Sequence, residues 1–240
     1  MALPKLDVPI YELNLPSDGK TITYRPFLVK EEKILLMAME GEDEKEITTA
    51  IKQIINNCMV SSDVNVEKLP LFDIEYLLLN LRARSMGDVV KTSYVKPGCK
   101  EENCQPIEIE VDVNTVEIEK DPDHNNKIEL TKDVGMIMKY PDIGMISKVT
   151  ELSGEKTEDV FEVITKCIDQ IYDADDVYSK SDYTQEELIE FVEGFTQDQF
   201  KKVEGFFNTI PKLYKDVEFH CEKCDYKESI RLEGLASFFG

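Results

Sequence analysis

Only two histidines, His124 and His220, occur in this 240-residue chain. Imidazole acid–base chemistry therefore has few places to sit, and neither residue has a recognisable carboxylate or nucleophile partner. The sequence also lacks a glycine-rich nucleotide loop, a nucleophile elbow and a paired-histidine metal motif. Gly19-Lys20-Thr21 has the end of a phosphate-binding loop, but the glycine needed five residues before Gly19 is replaced by Asn14. No catalytic residue, cofactor-binding residue or small-molecule substrate is expected.

Positive charge is scarce as well. Lys and Arg total 28 against 49 Asp and Glu, a net charge of -21. Such a chain repels phosphate backbones and anionic lipid, which argues against nucleic acid and points to protein partners. No apolar run reaches about 18 residues, so no membrane span is expected. The N-terminal stretch has no apolar segment behind a basic start, so it does not read as a secretion signal. A cytosolic, reducing compartment is then the expected setting, where cysteines bind metal or stay reduced more often than they form disulfides.

What is present reads as an α+β chain. Val8, Ile10, Leu13 and Leu15 precede Pro16-Ser17-Asp18-Gly19, and Thr21 to Tyr24 follow, which predicts an N-terminal β-hairpin. Apolar spacing predicts helices over 29–40, 46–59 and 71–84. The pattern becomes β-like from about 88 to 140, with runs at 89–95, 107–113, 127–131 and 134–140. Asp121 to Asn126 reads as a polar turn, with His124 solvated. After Pro141 the chain reads as helical to about 208. One helix carries Val160, Phe161, Ile164, Cys167, Ile168 and Ile171, and Thr184/Glu187 and Thr196/Gln199 stand at capping-box spacing. Phe191, Phe195, Phe200, Phe206 and Phe207 are expected to form a local aromatic core. Cys58 and Cys167 sit on apolar helix stripes as small core side chains.

Residues 151–200 hold 15 acidic and three basic side chains. A solvated outer helix face explains them; a docking surface for a basic partner is the sharper alternative. Asp173, Asp175 and Asp176 do not extend into a calcium loop, because the glycine and terminal glutamate of that motif are missing.

The remaining four cysteines form two close pairs, Cys99/Cys104 and Cys221/Cys224, each between β-like runs. Two tight turns that each aim two thiolates at one point supply tetrahedral zinc coordination, with Zn–S near ~2.3 Å. The reading is one structural zinc on Cys99, Cys104, Cys221 and Cys224, in a ribbon split by the helical segment between the pairs. Four thiolates leave no open position for catalysis. A thiol redox site on Cys221 and Cys224 is the rival; it would want a helix after the motif, whereas a β-like run follows. A zinc-ribbon protein acting on nucleic acid is a second rival, opposed by the charge.

The organisation expected is 1–86 as hairpin and helices, 87–140 with 214–240 as a β module closed by the ribbon, and 141–213 as an acidic helical insertion. LPKLDVPIYELNLPSDGKTITYRPFLVKEEKILLMAME at the start, DIEYLLLNLRARSMGDVV, MKYP at 138–141 and the ending FHCEKCDYKESIRLEGLASFFG together resemble the baseplate hub proteins of T4-like bacteriophages. The likeness covers almost the whole chain. It implies a non-catalytic virion-assembly protein of the tail: a baseplate hub subunit or hub-assembly chaperone, made in the host cytoplasm and working through other hub and tail proteins. It implies no catalytic residues, and a shared pair of cysteine motifs consistent with zinc. The closing Ser237-Phe238-Phe239-Gly240 is expected to tuck onto the core, the alternative being that its two Phe rings anchor in a partner's pocket.

Overall fold

A computed structural model describes residues 6–41, 44–61, 63–94, 107–145, 157–221 and 226–234. The chain divides into two compact units. One comprises Met1–Val66, Phe72–Glu119 and Lys212–Gly240; the other comprises Glu67–Leu71 and Lys120–Pro211. The expected α+β class holds, with an N-terminal hairpin and, among the described residues, six α-helices.

In the first unit, β1 (Tyr11–Asn14) and β2 (Thr21–Tyr24) pair antiparallel, Tyr11 opposite Tyr24. Gly19 turns the chain at φ 74°, a conformation that costs glycine nothing. The hairpin is followed by α1 (Val29–Glu40), α2 (Glu44–Cys58) and α3 (Leu71–Met86). Ile22, Tyr24, Ile55, Cys58, Ile74, Leu77 and Leu81 are all buried. Glu31, in the first turn of α1, is buried too; it accepts the Leu28 N–H at 2.8 Å and an Arg25 guanidinium N–H at 3.1 Å. Burial works against this carboxylate, but the bonds from Arg25 and Leu28 prevail and hold its pKa below the ordinary value.

The rest of this unit is β. β3 (Val89–Tyr94) pairs antiparallel with β4 (Ile107–Asp112), Tyr94 opposite Ile107. A three-stranded sheet has the order β11-β10-β5, built from β5 (Glu117–Glu119), β10 (Lys212–Cys221) and β11 (Tyr226–Glu233). Arg231 crosses that sheet, bonding Asp216 opposite it and Glu119 beyond, with its guanidinium 4.4 Å from the Tyr214 ring centre.

The second unit packs helices on a four-stranded antiparallel sheet, β6-β7-β8-β9. Its strands are β6 (Lys127–Glu129), β7 (Gly135–Met138), β8 (Ile168–Tyr172) and β9 (Val177–Ser179). The helices are α4 (Thr157–Cys167), α5 (Gln185–Glu193) and α6 (Gln197–Asn208). Met136, Met138, Val163, Ile164, Cys167, Val192, Val203 and Phe206 form the core, with Phe191, Phe195, Phe200 and Phe207 packed around it. Both capping boxes form.

Two expectations are corrected here. The helix read through Ile168 and Ile171 ends at Cys167, where the chain passes directly into β8. Lys180 Nζ caps the helix by donating to the Thr165 and Lys166 carbonyls at 2.8 and 2.7 Å, while Lys139 N–H takes the Cys167 carbonyl. Ile168 and Ile171 keep helical spacing, and three residues apart they would face opposite sides of a regular strand; a bulge at the register shift between Ile137 and Met138 pairs Ile168 with Met138 and Ile171 with Met136, on one side of the sheet. Gly135 is required in that pairing: the Tyr172 ring lies over it, and a β-carbon there would also come within 2.6 Å of the Ile128 carbonyl. His124, expected to be solvated, is part-buried and bonded through both ring nitrogens.

Candidate functional site

The two hairpins that carry the paired cysteines lie together. Tyr94 closes β3, and its ring meets Phe219 of β10 edge-on, centroids 4.9 Å apart at 68°. Phe219 also meets Tyr226, the first residue of β11, at 6.3 Å. Glu228, opposite Phe219 in the register, accepts the Tyr226 hydroxyl at 2.9 Å. Loss of water and the facing Glu228 carboxylate raise the Tyr94 pKa. This aromatic and carboxylate group stands where β3 ends, β4 begins, β10 ends and β11 begins.

Of the four sequence-predicted ligands, Cys221 is described. It is buried and is the last residue of β10, opposite Tyr226. Cys99 and Cys104 lie in 95–106, between β3 and β4, and Cys224 lies in 222–225, between β10 and β11; these three, and the ribbon expected from them, fall outside the described residues. The terminal Phe238 and Phe239 do as well. Among the described residues no group of three or more His, Cys, Asp or Glu side chains is placed to hold a metal ion. His220 is exposed on the face opposite Cys221, beside Lys227.

The other described cysteines are core side chains. Cys58 is buried, and burial pushes its thiol up to about 11; Cys167 is buried 3.8 Å from the Met145 sulfur and pushed up to about 12. A thiol so far from ionising is a poor nucleophile.

The His124 site is not visible in local sequence. Its Nδ1 lies 2.8 Å from Thr209 Oγ1 and its Nε2 lies 3.0 Å from the Tyr140 hydroxyl. The ring stacks on Tyr140 and tilts against Phe206, at 5.5 and 5.2 Å. The Thr209 hydroxyl donates to the Gly205 carbonyl at 2.8 Å, so it accepts from Nδ1–H, and Tyr140 then donates to Nε2. The imidazole is a neutral structural link. Its partners Tyr140 and Thr209 lie 16 and 85 positions further along the chain, a separation that local patterning does not bridge.

On α5, Glu186, Glu187, Glu190 and Glu193 are exposed together, the outer face expected of the acidic segment. Asp173 uses both carboxylate oxygens within its own turn, accepting the Asp175 and Asp176 N–H groups and the Tyr178 hydroxyl.

A chain of buried helices, short paired strands and acidic outer faces has the means to hold a shape and meet other proteins. The family model for the T4 bacteriophage base plate protein matches residues 8–240. The chain belongs to that family. Membership of the T4 base plate family gives it a structural or assembly role in the phage baseplate, in contact with other tail proteins. No curated protein and no solved structure matches it. Among the described residues, no helix of this baseplate protein is long and apolar enough to cross a membrane.

Proposed function

We propose that this baseplate protein is a non-catalytic component of the baseplate hub or a chaperone of hub assembly, acting through contacts with other hub and tail proteins. The observation that carries the reading is the family match over nearly the whole chain, joined to the sequence segments at both ends that resemble hub proteins. The acidic balance supports protein partners over nucleic acid. The protein is made in the host cytoplasm and either enters the virion baseplate or leaves once the hub is built. Phage lacking the gene should accumulate tails without complete hubs. Normal baseplates in its absence would overturn the reading.

One structural zinc on Cys99, Cys104, Cys221 and Cys224 belongs to the same proposal. It is supported by the donor set, four thiols in two close pairs, and by the contact of Tyr94 with Phe219, which brings the ends of the two cysteine-bearing hairpins together. When bound, the ion supplies a cross-link between the hairpins and no reaction. The chain's own residues hold it: Cys221 from the buried end of β10, Cys224 from the same hairpin, and Cys99 with Cys104 from the chain between β3 and β4.

A further inference from the structure

The helix α1 is apolar on the wrong side. Its buried residues, Glu31 and Ala38, face inward. At about 100° per residue, Val29, Lys33, Leu36, Met37 and Glu40 fall within one stripe of about 100° on the opposite side. All five are exposed, with Val29, Leu36 and Met37 at 80%, 54% and 60%. Most exposed apolar residues stand singly and need no account. Here adjacent ones share a helix face whose only charges stand at either side of them.

The order of that stripe is self-complementary. It reads cation, apolar, apolar, anion: Lys33, Leu36, Met37, Glu40. An antiparallel copy of the same helix, centred between Leu36 and Met37, sets each Lys33 opposite the other copy's Glu40 along the middle of the stripe, with Leu36 meeting its own mate at one edge and Met37 its own mate at the other. That is the matching a two-fold symmetric interface requires, since one patch must be its own partner. Among the described residues neither Lys33 nor Glu40 makes an ion pair within its own chain, so both are available. By contrast Lys30, the next cation on this helix, is engaged with Glu31 at 3.3 Å.

We infer that the outer face of α1 is a homotypic docking surface, and that its occupant is α1 of a second copy of this chain, packed antiparallel. A twelve-residue helix is about 18 Å long. The contact is therefore at the small end of specific interfaces, and the dimer forms and dissociates with concentration.

Sedimentation of the full chain over a wide concentration range tests this. The wild-type chain should shift from monomer to dimer as concentration rises. Leu36→Glu, at an exposed position, should leave the circular dichroism unchanged and hold the chain monomeric throughout. Lys33→Glu should raise the dimer dissociation constant about tenfold or more, by facing like charges across the contact. Lys33→Glu with Glu40→Lys should restore wild-type dimerisation, because the exchanged charges again oppose one another, and a merely damaged helix would not be rescued. A wild-type chain monomeric at its highest soluble concentration overturns the inference. So does a dimer that Leu36→Glu and Lys33→Glu leave unchanged. A monomer whose Leu36→Glu form fails only to join other tail proteins overturns the second copy as occupant.

Discussion

Tyr94 and Phe219 join two hairpins that are distant in sequence, the Tyr94 ring meeting Phe219 edge-on at 4.9 Å. Such pairs add about 0.5–1.5 kcal/mol beyond the area they bury. Their larger consequence is topological. They hold the ends of β3 and β10 side by side, and from those ends the chain runs into the segments that carry the paired cysteines.

If the cysteines share one zinc, metal analysis of the purified chain should find one ion per molecule. Cys224→Ser should then lower metal content and thermal stability together, with assembly failing as a consequence. A variant that loses zinc, stays fully folded and fails only to bind a partner would make the hairpin ends an interface instead of a staple. Stoichiometric absence of zinc from the wild-type chain would end the zinc reading while leaving the hub reading in place.

Asp73 offers a second test. This buried residue of α3 accepts both the backbone N–H of Ser17, at 3.0 Å, and the Ser17 hydroxyl. It thereby fixes the turn of the N-terminal hairpin on α3. Ser17 itself is exposed, so removing the carboxylate hands its donors to water and forfeits both bonds to a charged acceptor. Asp73→Ala should cost about 2–3 kcal/mol, read as a lower urea midpoint with unchanged slope. A loss below about 0.5 kcal/mol would show that the hairpin is held by apolar packing alone.

His124 makes stability depend on pH. Loss of water lowers its pKa below the ordinary value near 6.5, and the Asp121 carboxylate offsets this in part. Tyr140, Phe206 and Thr209, which face the ring from the other elements, carry no charge near neutrality. The unfolded chain therefore binds the proton more readily than the folded one. This contribution is complete above the unfolded pKa and is lost as pH falls from about 6.5 through the lower folded value. The ring proton of His124 should titrate below 6.5 in a nuclear magnetic resonance experiment. His124→Gln should flatten the fall in melting temperature over the same range. Titration at or above 6.5 would contradict the part-buried link.

Much of this architecture was legible from local chemistry. The turn at Pro16 to Gly19, the two capping boxes and the apolar stripes of α2 and α3 each depend on residues close in sequence, where propensity and spacing act directly. The β8 strand was not legible, because Ile168 and Ile171 stand at helical spacing and share a side of the strand only through a bulge against β7, and the choice falls to that pairing and to the cap supplied by Lys180. Nor was the role of His124, whose partners Tyr140 and Thr209 arrive from other elements. The outward side of α1 escaped for a related reason: Ile34, Leu35, Leu36 and Met37 form a continuous apolar run, and a run has no face until a neighbour selects one.

The α+β class, the acidity, the scarcity of histidine and the family resemblance can all be read along the chain. Each is a property of composition or of residues a few positions apart. Folding in three dimensions sets the rest: that the two cysteine-bearing hairpins meet at Tyr94 and Phe219, that the helix ending at Cys167 gives way to a sheet, and which side of α1 is left to solvent. Those outcomes rest on pairings between distant segments, whose free energy is realised when the chain has closed the loops between them.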